Sequence, residues 1–287
     1  MINDFLLLIF ADILLALNFA ATKAYQRDMG VSLAKGLKFN AFLGIFSAAI
    51  FFAANGFKCE INTFSAAMAA AMALLCVSYT VIGFRIMENE KMALYTVFLM
   101  TGGMAVPYIW GLIFLGEPFS LLRTGGLLII AAAVFIINAD TGRFNAKQLV
   151  LCLAVFVLNG FVSVISKEHQ IAAGAVPASS FVILSSIAKT AACTAALLFI
   201  KDAPKSRGSF NPKMLLFTLL AAAFSGVSYF LQLIGAENLP ATVIYPIITG
   251  GSIIFTAFAG RIFFGEKASR RMVSGIALCF LGTCMFL

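Results

Sequence analysis

The stretch MALYTVFLMTGGMAVPYIWGLIFLGEPFSLLRTGG at residues 92–126 returns in outline as ATVIYPIITGGSIIFTAFAGRIFFGEKASRRMVSG at residues 241–275. Each copy is an apolar run of helix length ending in Gly-Glu, at Gly116-Glu117 and Gly265-Glu266. Each then turns within a few residues and opens a second apolar run carrying a glycine nine residues after the Glu, Gly126 and Gly275. The correspondence extends upstream, where Ser78-Tyr79 matches Ser228-Tyr229 and Leu17-Asn18 matches Leu158-Asn159, in order and at separations of 141 to 150 residues. Self-similarity at a steady separation marks a duplicated unit. The division expected is residues 1–141 and residues 142–287.

Around these copies the chain is apolar almost throughout: 62% hydrophobic and 11% charged residues over 287 positions, with mean hydropathy +1.01. A water-soluble domain carries about 25% charged residues, so most of this surface must meet lipid. Runs long enough to cross a bilayer lie near 5–23, 33–54, 64–85, 92–115, 121–138, 148–166, 177–200, 213–234, 240–264 and 271–287. They are continuously apolar instead of alternating, which selects helices over a barrel. The first run follows Asp4 with no preceding Lys or Arg and reads as a spanning helix, not a cleaved signal peptide. The fold expected is all-α integral membrane, with ten transmembrane helices. Five helices per half is an odd number, so the second half enters the membrane from the opposite side, giving two inverted five-helix repeats. Inverted repeats are a common architecture of secondary transporters, with the solute site near the bilayer midplane.

The formal net charge is +8. In so apolar a chain the charges belong to short loops, where they set orientation and meet anionic lipid headgroups, and no nucleic-acid partner is implied. Only Lys58, Arg123 and Lys167 fall on the side of the termini. Sixteen fall on the other: Lys23, Arg27, Lys35, Lys38, Arg85, Lys91, Arg143, Lys147, Lys201, Lys205, Arg207, Lys213, Arg261, Lys267, Arg270 and Arg271. The positive-inside rule then places both termini outside a cytoplasmic (plasma) membrane. The six cysteines have no Cys-x-x-Cys spacing and read as packing residues, with no metal or cofactor implied.

The segment Leu17-Asn18-Phe19-Ala20-Ala21-Thr22-Lys23, together with the two Pro- or Gly-containing spans that end in Gly-Glu, resembles the drug/metabolite transporter superfamily, within it the ten-helix permeases of the EamA type. Residues 95–138 also resemble the last two helices of the small multidrug resistance proteins. The resemblance implies movement of amino acids, other metabolites or toxic compounds, more often outward, driven by a gradient. It also implies both termini in the cytoplasm, against the charge distribution. The acid that small multidrug exporters carry on their first helix has an approximate counterpart in Asp12, with Leu153 at the matching place in the second repeat.

Polar side chains at helical spacing in a lipid-embedded helix face other helices or water. The sixth span carries Asn159, Ser163 and Ser166, the eighth Ser225, Ser228, Tyr229 and Gln232, and the ninth Tyr245, Thr249, Ser252 and Thr256. Asn18 and Tyr79 hold the matching places in the first half. Such groups either line a cavity or satisfy carbonyls of their own helix. Pro107 and Pro246 each free a carbonyl and are candidate hinges or packing kinks. Asp12 and Lys189 are ionisable residues deep in apolar context, where a charge costs about 2.5–3.5 kcal/mol on insertion scales. They either form a charged site suited to a zwitterion or only tie two helices together. Asp12 could also lie near enough to the interface to reach water.

The function expected is secondary active transport of a small organic solute, an amino acid or related metabolite, by alternating access. A passive channel or a non-transport membrane scaffold is the alternative. Ser185 and Ser186 precede Lys189 by a spacing that could activate a nucleophile, but no hydrolase or metalloprotease signature is present. The single histidine, His169, reads as a solvated loop residue, and the chain is not expected to be an enzyme.

Overall fold

The computed structural model describes residues 2–87, 92–138, 146–200, 212–267 and 269–286. Among them are ten helices: α1 (Ile2–Met29), α2 (Leu33–Ala54), α3 (Thr63–Met87), α4 (Met92–Ile113), α5 (Leu121–Ile137), α6 (Ala146–Ile171), α7 (Ala178–Leu198), α8 (Pro212–Asn238), α9 (Ala241–Phe264) and α10 (Arg270–Cys284). The boundary expected at residues 141 and 142, and the basic residues Lys91, Arg143, Lys201, Lys205 and Arg207, lie outside the described residues.

Helix starts follow local chemistry. The hydroxyls of Ser32, Ser120 and Ser269 accept from the amides of Lys35, Arg123 and Met272, satisfying donors that the first turn of a helix leaves unpaired. The Gly-Glu turns close their helices in the same way. Gly116 and Gly265 sit at φ +65° and +63°, a left-handed conformation that glycine adopts without steric cost. The following amides, of Glu117 and Glu266, bond back to the carbonyls of Gly111 and Gly260 at 3.0 and 3.3 Å.

Interhelical bonds fix two faces of the bundle. Asn238 meets Asp4, Asn62 meets Gly174, Glu60 meets Ser180, and Glu117 meets the start of α9 on the face that holds the described chain ends. Lys23 at the far end of α1 pairs with Glu266 on the opposite, connection face. Helix pairing obeys a rule of exchange. α1 packs on α8 as α6 does on α3; α1 on α9 as α6 on α4; α2 on α8 as α7 on α3; and α2 with α7, α4 with α9 and α5 with α10 pair across the halves. Swapping each helix for the one five places on carries these pairings into themselves.

Eight of the helices are long and apolar enough to cross a membrane. α5 and α10, at 17 and 15 residues, are shorter, about 26 and 22 Å at 1.5 Å per residue, and pack against each other through Gly126 and Gly282. Large apolar side chains such as Leu6, Phe10, Leu74, Leu128, Phe135 and Phe280 stand outward, as lipid-facing positions require. α9 is the exception: 72% of its apolar window is buried, against 22–39% in the other seven long helices, which makes it the central helix.

Candidate functional site

A cavity of about 440 Å³ lies between α1, α2, α3, α6, α7 and α8. It runs from Gln26, Gly36 and Phe84, near the connection face, past mid-helix Asn18, Asn40 and Lys189 to a floor of Met72, Val182 and Tyr229. α7 is drawn close to α2 where Gly44 has no side chain to hold off Thr190. There Thr190 donates to the Ala41 carbonyl at 3.2 Å and Ser186 to Ser47 at 3.3 Å, and this crossing sets Lys189 into the cavity wall.

Below the floor the bundle is sealed. The Tyr229 hydroxyl meets Ser166 Oγ at 2.9 Å and Met72 Sδ at 3.3 Å, and Phe181, Phe51 and Leu233 form an apolar plug. His169 is not a solvated loop residue: it lies within α6, fully buried, stacked 3.6 Å from the ring of Phe181 and bonded to Ser65 and Gln170. Apolar length alone ended α6 too early, since the helix continues beyond its hydrocarbon segment. Lys167 is likewise not a headgroup-facing charge. It is buried, and its ammonium donates to the carbonyls of Ala236 and Leu239 at 2.5 and 2.7 Å, the chain reversal that joins α8 to α9. The Glu117 carboxylate takes the other side of this reversal, accepting from the amides of Ala241 and Thr242 at 2.6 and 2.8 Å. Carbonyls at the end of one helix thus meet a cation and amides at the start of the next meet an anion, both favourable to the helix dipoles. On the connection face the equivalent Glu266 pairs with Lys23, and the pair is exposed.

Four of the eleven cavity residues expected from the sequence line it: Asn18, Tyr79, Lys189 and Tyr229. The others lie outside its lining. Asn159 donates to the Leu99 carbonyl at 2.7 Å, joining α6 to α4. Tyr245 donates to the Ser163 carbonyl at 2.5 Å, joining α9 to α6. Gln232 donates to Ser228, and Ser252 to the Thr249 carbonyl. Asp12 is 1% exposed with Oδ1 unpartnered, pressed against Gly251 of α9, and it neither lines the cavity nor pairs with Lys189. α4 and α9 continue through Pro107 and Pro246, both buried. The α2 stripe Gly36, Asn40, Gly44 and Ser47 lines the cavity; its spacing of four, four and three on one helix face was the signal for it. Ser185 donates to the Val182 carbonyl, so it is not set against Lys189 as a nucleophile would be.

Residues 146–287 match the EamA-like transporter family. No curated protein matches the sequence. A solved structure, described only as the crystal structure of a protein, superposes on 99% of this chain and 96% of its own at TM-score 0.78 and 15% identity, so the likeness is one of fold. The chain is therefore a multi-pass membrane protein whose residues 146–287 are similar to the EamA-like transporter family.

Proposed function

We propose that the chain is a secondary active carrier of a small organic solute, of the size of an amino acid or related metabolite, working by alternating access between two inverted halves in a cytoplasmic membrane. The observation that carries this is a cavity that opens toward one face only, between helices whose pairings exchange between the halves. Its lining runs from Gln26, Gly36 and Phe84 near the connection face to Met72, Val182 and Tyr229, and beyond it Glu117 clasps the start of α9 on the sealed face. Exchange of the two sets of pairings, with Glu117 letting go of α9, swaps the roles of the halves and moves the mouth to the opposite face. With the basic connection face inward, the present state takes solute from the cytoplasm, the direction of efflux.

Spin labels at Gln26 and Phe84 report the mouth, and labels at Ile61 and Ala173 the sealed face. On addition of a solute that raises the melting temperature, the first distance is expected to shorten and the second to lengthen. Distances that both stay fixed while the solute passes through reconstituted vesicles would make the protein a channel.

A further inference from the structure

Among the described residues that line the cavity, one carries a formal charge. It is Lys189, and none of the described carboxylates lines the cavity. Asp4 is engaged with Asn238, Asp12 lies against Gly251, Glu117 clasps α9, Glu168 accepts from Trp110 and Glu266 pairs with Lys23. Among the described residues Lys189 has no ion pair or hydrogen bond. The thiols of Cys76 and Cys193 stand beside it. An ammonium held at mid-membrane without a counter-ion is costly, and the cost is removed by any anion that enters.

A second polar side chain stands at the same space. Asn18 lines the cavity, while its side-chain oxygen is buried without a partner. A turn of the amide that brings this acceptor to the cavity pairs it with a donor that arrives with the solute. Phe39, Leu43 and Tyr79 add apolar and aromatic wall.

Building on the carrier reading, we propose that the solute is an organic anion, its acidic group placed on Lys189, a hydroxyl or amide N–H on Asn18 and an apolar body against Phe39 and Leu43. It follows that the site does not use Asp12 as a partner for an amine, and that a cation of the same shape is rejected by Lys189 itself.

A matched series tests the charge directly: phenyllactate, phenyllactamide, phenylalanine and phenethylamine, applied to the purified full-length protein with melting temperature as the readout. A ligand that binds only the folded state raises that temperature. Phenyllactate is expected to stabilise most. Lys189→Gln should weaken its binding by about tenfold or more, the loss of a charge-assisted contact, and Lys189→Arg should keep most of it. The ligand-free Lys189→Gln protein is expected to melt no lower than wild type, which separates a site residue from a structural one. Stabilisation by phenethylamine or phenyllactamide in preference to phenyllactate overturns the proposal, as does the absence of any response to phenyllactate. Counterflow of labelled phenyllactate in vesicles then separates the two readings. Lys189-dependent binding without saturable exchange sinks the carrier and leaves the anion site standing. Exchange of a neutral or cationic member does the reverse.

Discussion

Asp12 and Lys189 are both ionisable groups within apolar helices, yet their surroundings differ. Lys189 opens onto a cavity, whereas Asp12 is 1% exposed at the contact of α1 with α9 and leaves Oδ1 without a partner. A buried polar group without a partner costs about 1–3 kcal/mol, and an apolar side chain of similar shape removes that cost. Asp12→Leu is therefore expected to stabilise the protein by about that amount, read as a higher melting temperature; a lower one would mean that the carboxyl has a favourable role in the fold. The polarity of these residues was plain from the sequence, but their partners were not. Periodicity shows which face of a helix turns inward, and that face meets neighbouring helices as often as it meets a cavity. Asn159, Tyr245 and Ser252 were expected to line the cavity, and each spends its donor on a backbone carbonyl. Asn18 stands at the place in α1 that Asn159 holds in α6, and it is Asn18 that reaches the cavity. Two residues of like sequence context thus differ because only one half is open.

At the scale of elements, apolar length located all ten helices, and α2 falls on the expected residues 33–54. α4, α7 and α10 end two or three residues short of their apolar segments, at Ile113, Leu198 and Cys284, and the largest deviations are extensions: α1, α6 and α8 run past theirs to Met29, Ile171 and Asn238. Hydrogen bonding continues a helix into the interface whether or not its side chains are apolar, so hydropathy underestimates these ends. The Gly-Glu turns were legible as a repeat but not as a clasp, since the partner of Glu117 is the start of a helix 124 residues away. Hydrogen bonds to a charged group contribute about 1.5–3 kcal/mol each, and Glu117→Ala leaves the amides of Ala241 and Thr242 without their acceptor. Its expected cost is about 2 kcal/mol or more. Glu266→Ala breaks an exposed pair with Lys23 and should cost under about 1 kcal/mol. Thermal melts of the two variants side by side check the inequality; equal losses would mean that the two turns are equally engaged.

For the whole molecule the deciding quantity is the distribution of charge between the two faces. Lys167 was counted with the face of the chain ends, but its ammonium is buried on carbonyls of the reversal between α8 and α9 and exerts no pull at the headgroups. Removing it leaves Lys58 and Arg123 against the sixteen basic residues that the sequence assigns to the other side, so the asymmetry sharpens. Basic residues in short loops are retained in the cytoplasm. The connection face is accordingly expected inside and both described chain ends outside, the reverse of the orientation implied by resemblance to ten-helix permeases. Alkaline phosphatase fused after Leu287 is then expected to be active and green fluorescent protein at the same position dark. The opposite pair of results reverses the membrane face to which the cavity opens. It would leave the exchange of helix pairings and the Lys189 site unchanged, because both rest on packing within the bundle and not on its orientation.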